Sequence, residues 1–401
     1  MNKPIPYGKH NITQEDIVAV TNALMSENLT QGPLISNFEK SFADYIGCKY
    51  AVAVSNGTAA LHLSTLALGV KDNQKVITTP ITFAASANCI KYAGGDVIFS
   101  DIDPNTYLID IKKVKAKLQA SPIGTYNGII VVDFAGRAVN LEEFRQIADE
   151  YGLWIIEDAC HAPGGYFIDS KNIKQKCGSC NYTELAIFSF HPVKHIACGE
   201  GGMITTNDEL LYNKLLKLRS HGITKLNHEF TNDLVWATGN KNSDTINSNY
   251  PGWYMEMNEL GFNYRLTDFQ AALGISQLKR ANQSIEKRQA IAKKYYNSFL
   301  NKSWIRSQSG FVEGHAYHLY VIEVPDRYNL YNFLKSKNIL AQVHYIPTHL
   351  MPYYKQFGWN IGDMPESEKY YEGCLSIPMY PDLTIEEQEF VIKTIEQYFD
   401  V

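Results

Sequence analysis

Short apolar, β-branched segments alternate with amphipathic segments over much of the first half of the chain. From Tyr50 onward, helical patterns such as SNGTAALHLSTLAL and LEEFRQIADEYG separate the apolar segments YAVAV, KVITT, DVIFSD, GIIVVDF and LWIIED. Strands that are apolar along their whole length are typical of a mainly parallel sheet with helices on both faces. The sequence therefore predicts an α/β fold for this half.

The rest of the chain predicts a second, smaller domain. The segment from Lys225 to Gly252 is rich in Asn, Thr, Asp and Ser, and it predicts a long loop or insertion. Beyond the helical LTDFQAALGISQLKR and SIEKRQAIAKKYYNSFL, the segments HLYVIEV and NLYNFLKSKN indicate a compact α+β unit. A length of 401 residues allows two or three domains. We predict a large α/β domain with an N-terminal arm over residues 1–275 and a small α+β domain over residues 276–401.

Composition limits the location and partners of the protein. A hydrophobic content of 45% and a charged content of 20% are typical of soluble globular proteins, and the apolar segments are too short to span a bilayer. A net charge of -5 without a basic stripe disfavours nucleic acid as a partner. The N-terminal sequence lacks the basic and apolar regions of a secretory signal, so the expected location is the cytoplasm.

The seven cysteines are scattered along the chain, which predicts reduced thiols rather than a disulfide framework. Cys177 and Cys180 have the spacing of a metal-binding knuckle, but no second pair and no suitably spaced histidine pair follows them. Because structural zinc needs four ligands, we predict no metal site.

Lys194 lies in the segment FSFHPVKHIACGEGG, between the strand-like pieces ELAIFSF and GMITTN. This position is unusual for a solvated charge, and burial would lower the pKa of the amine, as a Schiff-base lysine requires. Most lysines are surface charges, so this feature alone leaves both interpretations open. Connections between strands are nevertheless where active groups of such sheets commonly lie.

Two further groups lie where predicted strands meet the next segment. Asp158 ends the apolar segment LWIIED, where a carboxylate can keep the nitrogen of a pyridine ring protonated; a helix cap or a salt bridge is the alternative. SNGTAALHL places a turn before an apolar helix, so the backbone amides of Gly57, Thr58 and Ala59 can face a phosphate. Ordinary helix capping also explains this motif.

Ser189 and Phe83 complete a set of groups at four strand ends. Ser189 ends the strand that precedes Lys194, so its hydroxyl can reach a phosphate. Phe83, in TTPITFAASAN, can stack on an aromatic ring, although aromatic residues more often pack in cores. An anion cradle, an aromatic side chain, a carboxylate and a lysine together match one ligand, pyridoxal 5'-phosphate.

Motifs along nearly the whole chain resemble those of one family. The chain is similar to the DegT-type sugar-nucleotide aminotransferases, and among them to the transaminases of pseudaminic acid biosynthesis. The resemblance rests on IPYGKHNIT, LTQGP, SNGTAALHL, TTPITFAASAN, IIEDACHAPGG, FSFHPVKHIACGEGGMITTN, ELGFNYRLTDFQAALG and VHYIPTHLMPYY. It implies the pyridoxal-phosphate transferase fold of type I, with a mainly parallel central sheet, helices on both faces and a smaller C-terminal α+β domain.

The resemblance implies how the cofactor is held. Lys194 would bind it covalently, Asp158 would meet the pyridine nitrogen, and Phe83 would stack on the ring. His161 would lie near the phenolic oxygen. The groups that would hold the phosphate are Gly57, Thr58, Ala59 and Ser189.

The resemblance also implies a shared active site. Asn263 would reach the cofactor phosphate of a neighbouring subunit, which implies an obligate homodimer. The polar segment between Lys225 and Gly252 is longer than family members usually carry, and we expect it to border the substrate entrance. The roles of His191 and Arg265 stay open. The residues that would contact the sugar nucleotide are Tyr7, Leu29, Thr30, His318 and Tyr345.

The implied reaction is a ping-pong transamination without a metal. L-Glutamate would leave its amino group on the cofactor as pyridoxamine phosphate, and the freed amine of Lys194 would move the proton. A UDP-linked 4-keto-6-deoxy-N-acetylhexosamine would then accept the amino group at C4, for pseudaminic acid or a related surface glycan. A dTDP- or GDP-linked 4-keto-6-deoxy sugar is the alternative acceptor.

Other functions fit the sequence less well. Sugar dehydratases that resemble this family carry His where this chain has Lys194. A nicotinamide enzyme would show G-x-G-x-x-G after an N-terminal strand, and this sequence has none there. A non-catalytic regulatory protein that binds pyridoxal phosphate, or an α/β interaction scaffold, stays open.

Overall fold

The computed structural model describes residues 3–239, 249–308 and 310–399. The strands are β1 (Ile5–Pro6), β2 (Tyr50–Val54), β3 (Lys75–Thr78), β4 (Asp96–Phe99), β5 (Gly128–Val132), β6 (Trp154–Asp158), β7 (Tyr166–Ile168), β8 (Lys174–Lys176), β9 (Leu185–Ser189), β10 (Gly202–Thr206), β11 (Ile223–Thr224), β12 (Glu256–Met257), β13 (Arg306–Ser307), β14 (Tyr320–Glu323), β15 (Ile339–Leu340) and β16 (Cys374–Ile377). The helices are α1 (Gln14–Leu24), α2 (Pro33–Ile46), α3 (Gly57–Ala67), α4 (Ala85–Tyr92), α5 (Ile111–Gln119), α6 (Leu141–Tyr151), α7 (Glu209–Arg219), α8 (Leu234–Thr238), α9 (Asp268–Leu278), α10 (Ala281–Phe299), α11 (Arg327–Ser336), α12 (Pro352–Lys355), α13 (Pro365–Gly373) and α14 (Ile385–Phe399).

The central sheet has seven strands in the order β2-β10-β9-β6-β5-β3-β4. Strand β10 pairs antiparallel with β2 and β9, and the other neighbouring pairs are parallel. The carboxyl ends of β3, β5, β6 and β9 therefore meet at one edge of the sheet, where ligands of such folds bind. The predicted mainly parallel sheet is confirmed.

Alternating side chains of the central strands are buried on both faces of this sheet. Ile129 and Ile155 belong to one apolar cluster, and Ile130 and Ile156, one residue further along the same strands, belong to another. Successive side chains of a strand point to opposite faces, so each strand needs apolar residues throughout. This explains the continuous apolar segments of the sequence.

The second part of the chain forms a three-stranded antiparallel sheet in the order β13-β14-β16. Its apolar cluster includes residues of α10, α11 and α14, as expected of an α+β unit. Strand β1 pairs in parallel with β15, so the N-terminal segment packs on this unit. The proposed boundary at residue 275 falls within α9 and stays a prediction.

Three details add to or differ from the sequence predictions. The polar segment before Gly252 contains the short helix α8. The Oδ1 atom of Asp233 caps this helix by accepting a hydrogen bond from the Trp236 amide. Residues 240–248 of the segment lie outside the described residues. His318 precedes its strand, which begins at Tyr320. The seven cysteines are free, as predicted.

Among the described residues, no helix has both the length and the apolar character needed to span a membrane.

Candidate active site

A cavity of about 450 Å³ lies at the carboxyl edge of the central sheet. It brings together most of the predicted site residues, from segments far apart in the chain. Those that line it are Tyr7, Gly57, Thr58, Phe83, Asp158, His161, Ser189, Lys194, His318 and Tyr345. His191, whose role the sequence left open, also lines it.

Lys194 lies in the connection between β9 and β10, and its backbone amide donates to the carbonyl of His191 at 2.8 Å. Among the described residues, no carboxylate lies within ion-pair distance of its Nζ. Burial lowers the pKa of this amine, and the nearby side chains of Cys160 and Asp158 offset the effect only in part. A desolvated amine with a lowered pKa is suited to attack a carbonyl carbon.

Asp158 is fixed by two hydrogen bonds at the end of β6. Its Oδ2 atom accepts from the hydroxyl of Ser86 at 2.6 Å, and its Oδ1 atom accepts from the amide of Cys160 at 3.2 Å. The Ser86 oxygen also lies 2.7 Å from the hydroxyl of Thr82, which must act as donor because the Ser86 proton goes to Asp158. Ser86 lies in the same motif as Phe83, but its position in the sequence does not single it out.

The start of α3 approaches Ser189 closely. A Cβ atom on Gly57 would lie 3.0 Å from the Cβ and 3.4 Å from the Oγ of Ser189, so the absence of a side chain keeps this space open. The amide of Ala59 donates to the Oδ1 atom of Asn56 at 2.8 Å, and the residue does not line the cavity, so its phosphate contact stays a prediction. The helix cap thus uses an amide that we had predicted to face an anion.

His161 and Tyr345 form a polar pair in the cavity. The Nδ1 atom of His161 accepts a hydrogen bond from the Ala135 amide at 3.2 Å, so the proton of the neutral ring is on Nε2, which lies 3.3 Å from the Tyr345 hydroxyl. Burial lowers the pKa of His161 well below its usual range, which keeps the ring neutral, and burial raises the pKa of Tyr345. His161 therefore donates to Tyr345, whose own proton is available to another acceptor.

The remaining predicted residues lie outside this cavity. Leu29 is half exposed, and Thr30 forms a β-bridge with Thr267. Asn263 is exposed and bridges Ser220. Arg265, whose role was left open, bridges Val54. Within one chain the structure does not bring these residues to Lys194.

The residues of the cavity fit pyridoxal phosphate. Asp158 supplies a carboxylate for a protonated ring nitrogen, and Lys194 supplies a desolvated amine. The open space beside Gly57, with the Ser189 hydroxyl and a helix start, suits a phosphate. Phe83 lines the cavity with 63% of its surface exposed, so one ring face is free to pack on a ligand.

Comparisons with known proteins agree with this arrangement. Residues 10–396 match the model of the DegT/DnrJ/EryC1/StrS aminotransferase family. The chain is 35% identical to the spore coat polysaccharide biosynthesis protein SpsC of Bacillus subtilis, over 98% of this chain and 97% of the relative. It is 37% identical to the UDP-4-amino-4,6-dideoxy-N-acetyl-beta-L-altrosamine transaminase of Campylobacter jejuni, over 98% and 96%.

Among solved structures, the chain is similar to Helicobacter pylori PseC, an aminotransferase involved in the biosynthesis of pseudoaminic acid. The TM-score is 0.85 and the sequence identity 27%, over 99% of this chain and 100% of that one. The fold of type I predicted from the motifs is thereby confirmed. The chain belongs to the DegT/DnrJ/EryC1/StrS aminotransferase family and is a pyridoxal-phosphate-dependent sugar aminotransferase.

Proposed function

We propose that the protein transfers the amino group of L-glutamate to C4 of a UDP-linked 4-keto-6-deoxy-N-acetylhexosamine, giving a 4-amino sugar nucleotide. The similarity to the Campylobacter jejuni altrosamine transaminase over nearly the whole of both chains supports this acceptor. The likeness to PseC supports a place in pseudaminic acid or related surface-glycan synthesis. The cytoplasm stays the expected location. The observation that carries the reaction is the desolvated amine of Lys194 in one cavity with Asp158.

The residues of the cavity have distinct proposed roles toward the cofactor. When bound, pyridoxal phosphate supplies an electron sink that delocalises the negative charge formed at a substrate carbon. Asp158 would keep the ring nitrogen protonated, and Lys194 would hold the cofactor covalently. Phe83 would cover one ring face, and His161 would lie near the phenolic oxygen. The groups proposed to hold the phosphate are Gly57, Thr58 and Ser189.

Lys194 has a second proposed role, as the group that moves a proton. With an amino donor bound to the cofactor, the amine of Lys194 would be free in the cavity. Because burial lowers its pKa, the amine gives up its proton more readily than a solvated lysine does, which suits a general base. In the first half-reaction it would take the proton from the α-carbon of the donor and deliver it to the cofactor. In the second half-reaction it would move a proton in the reverse direction.

The acceptor would be recognised by the open side of the cavity, where Tyr7, His318 and Tyr345 lie. Tyr345 receives a hydrogen bond from His161 and so directs its own proton into the cavity, where a sugar oxygen is a suitable acceptor. Since Asn263, Leu29 and Thr30 lie outside the cavity of their own chain, we propose that they serve the active site of a second copy in a homodimer.

The role of Tyr345 is tested by Tyr345→Phe. Removing the hydroxyl should lower kcat/KM for the sugar half-reaction about tenfold, as expected for one lost hydrogen bond, and should change the glutamate half-reaction less. Tyr353→Phe is the control, because Tyr353 is exposed and does not line the cavity. Equal rates for the two variants would refute the role.

Two experiments test the proposed function. Borohydride reduction of the holoenzyme followed by peptide mapping should place the cofactor on Lys194; a label on another lysine would refute the site. UDP-, dTDP- and GDP-linked 4-keto sugars should then be compared with glutamate as donor, with products identified by mass and NMR. Preference for a dTDP or GDP sugar would refute the acceptor, and an unchanged cofactor spectrum on adding glutamate would support a non-catalytic binding protein.

A further inference from the structure

A second cleft, of about 170 Å³, lies beside the connection that carries Lys194. It is bounded by the N-terminal segment from Lys9 to Thr13, by the first turns of α10 and by Pro381 and Asp382. Lys194 is common to this cleft and to the cofactor cavity, but the other lining residues differ. The proposed transamination assigns no role to this cleft.

Arg288 lines the cleft and is 1% exposed. Its Nη1 atom donates to the backbone carbonyls of Tyr317, His318 and Met379 at 3.1 to 3.3 Å, while its Nε atom is buried without a partner. Among the described residues, no carboxylate lies within ion-pair distance of this guanidinium. Burial lowers the pKa of Arg288 to about 9.

A buried charge without an ion of opposite sign is costly, and proteins normally pair such charges. The carbonyl oxygens that surround Nη1 satisfy its hydrogen bonds, but they carry no net charge. The guanidinium therefore retains an uncompensated positive charge next to an open cleft. An anion in that cleft would supply the missing countercharge.

The rim of the cleft adds positive charge. Lys9 and Lys287 are exposed there. Arg280 is paired with Asp16, which offsets its charge, and Asp382 is the acidic side chain of the lining. The first turn of α10, a helix of 19 residues, also lines the cleft and directs its positive end there. The charges of the lining thus sum to an excess of cations.

We propose that this cleft binds a small polyvalent anion, either inorganic phosphate or a short dicarboxylate. The volume is several times the share of one water molecule, about 30 Å³, which suits an ion of either kind and is too small for a nucleotide. Arg288 provides the buried charge, and Lys9 and Lys287 close the site at the rim. The site is separate from the one where amino transfer is proposed.

The test is calorimetric titration of the holoenzyme with phosphate and, separately, with glutarate, at constant ionic strength in chloride. The cofactor already fills its own phosphate site, so added phosphate cannot bind there. We expect saturable binding of one of the two ions. Lys9→Gln and Lys287→Gln should each weaken it about fivefold, the effect of losing one partly solvated ion pair.

Lys293→Gln is the matched control, because Lys293 is an exposed lysine of α10 that does not line the cleft. It should leave the affinity unchanged. Binding of phosphate alone or of glutarate alone identifies which kind of anion the site takes. Absence of saturable binding of both ions, or equal weakening by Lys293→Gln and Lys287→Gln, would overturn the proposal. Because glutarate resembles the proposed donor glutamate, binding that neither Lys9→Gln nor Lys287→Gln weakens is assigned to the cofactor cavity and would also overturn the proposal.

Discussion

Glu157 and Asp158 are neighbours on β6, yet their carboxylates lie on opposite faces of the central sheet. Asp158 faces the cavity and accepts hydrogen bonds from a hydroxyl and an amide. Glu157 is fully buried on the other face, together with Asp133 and Cys177. The pleat of one strand therefore separates a group available to a ligand from one enclosed in the core.

The two buried carboxyls behind the cavity behave as a pair. The Oδ1 atom of Asp133 accepts from the Val139 amide at 2.8 Å, and the Oε2 atom of Glu157 accepts from the Gly178 amide at 2.9 Å. Burial raises the pKa of both, that of Glu157 well above its usual range. Asp133 raises the pKa of Glu157 further, whereas the hydrogen bond between them lowers that of Asp133. Burial thus favours the form in which the Glu157–Asp133 pair holds a proton, whereas Asp158 accepts hydrogen bonds from the Ser86 hydroxyl and the Cys160 amide.

The largest expected effect comes from Asp158→Asn, which removes the carboxylate that faces the cavity. Without a carboxylate for the ring nitrogen, kcat should fall about 10³-fold, roughly 4 kcal/mol of barrier. The amide keeps the shape of the side chain, so the free energy of unfolding should change little. Stopped-flow half-reactions and urea unfolding measure the two quantities. A kcat within tenfold of wild type would contradict the contact between Asp158 and the ring nitrogen. Glu157→Gln is the control on the same strand.

On the opposite face, Glu157→Ala should act on stability instead. It leaves Asp133 buried without its partner and opens a cavity, which should cost about 3 kcal/mol of unfolding free energy. Glu157→Gln should cost much less, because the amide can donate to Asp133 as the protonated acid does. Urea unfolding at pH 7 compares the two variants. Equal losses would show that the pair does not share a proton.

Ser86→Ala tests the positioning of Asp158, because it removes a hydrogen-bond donor to Asp158 and leaves the carboxylate in place. A hydrogen bond to a charged group contributes about 2 kcal/mol, so kcat/KM should fall by roughly thirtyfold at most. Ser64→Ala is the matched control, since Ser64 is equally buried and donates to the carbonyl of Ala60 rather than to the site. If both variants keep the wild-type rate, the hydroxyl of Ser86 does not position Asp158.

The smallest effect concerns pH. The pKa of Glu157 is raised in the folded state, so the folded protein holds a proton that the unfolded chain releases. Its contribution to stability is complete below the ordinary glutamate pKa and is lost as the pH rises toward the folded value. In Glu157→Gln, the decrease in unfolding free energy as the pH rises should be smaller by about 1 kcal/mol. Unfolding free energies at pH 6 and pH 9 measure it, and identical slopes for wild type and variant would contradict it.

Patterns local in sequence predicted the fold and the centre of the site. The apolar strands and their carboxyl ends placed Lys194, Asp158, Ser189 and Phe83 at one edge before any tertiary contact was known. Strand ends meet wherever parallel strands pair, so this part of the site follows from topology alone.

The contacts between distant residues could not be predicted in this way. Tyr345 meets His161 across 184 positions of the chain, and nothing in either motif specifies that hydrogen bond. Ser86 looks like any serine at a helix start. The sequence also does not show that the side chain of Asn56 accepts a hydrogen bond from the Ala59 amide. Arg288 carries no sequence signal of burial, since arginines are mostly exposed.

The pairing of β1 with β15 has a consequence for how the protein is made. Ile5 leaves the ribosome first and pairs with Ile339, which is synthesised almost a whole chain later. At elongation speeds of about 5 to 20 residues per second, the wait lasts roughly 15 to 70 s. During that interval the backbone groups of β1 lack their partner strand. They must be hydrogen-bonded to water or covered by another molecule until β15 has been made.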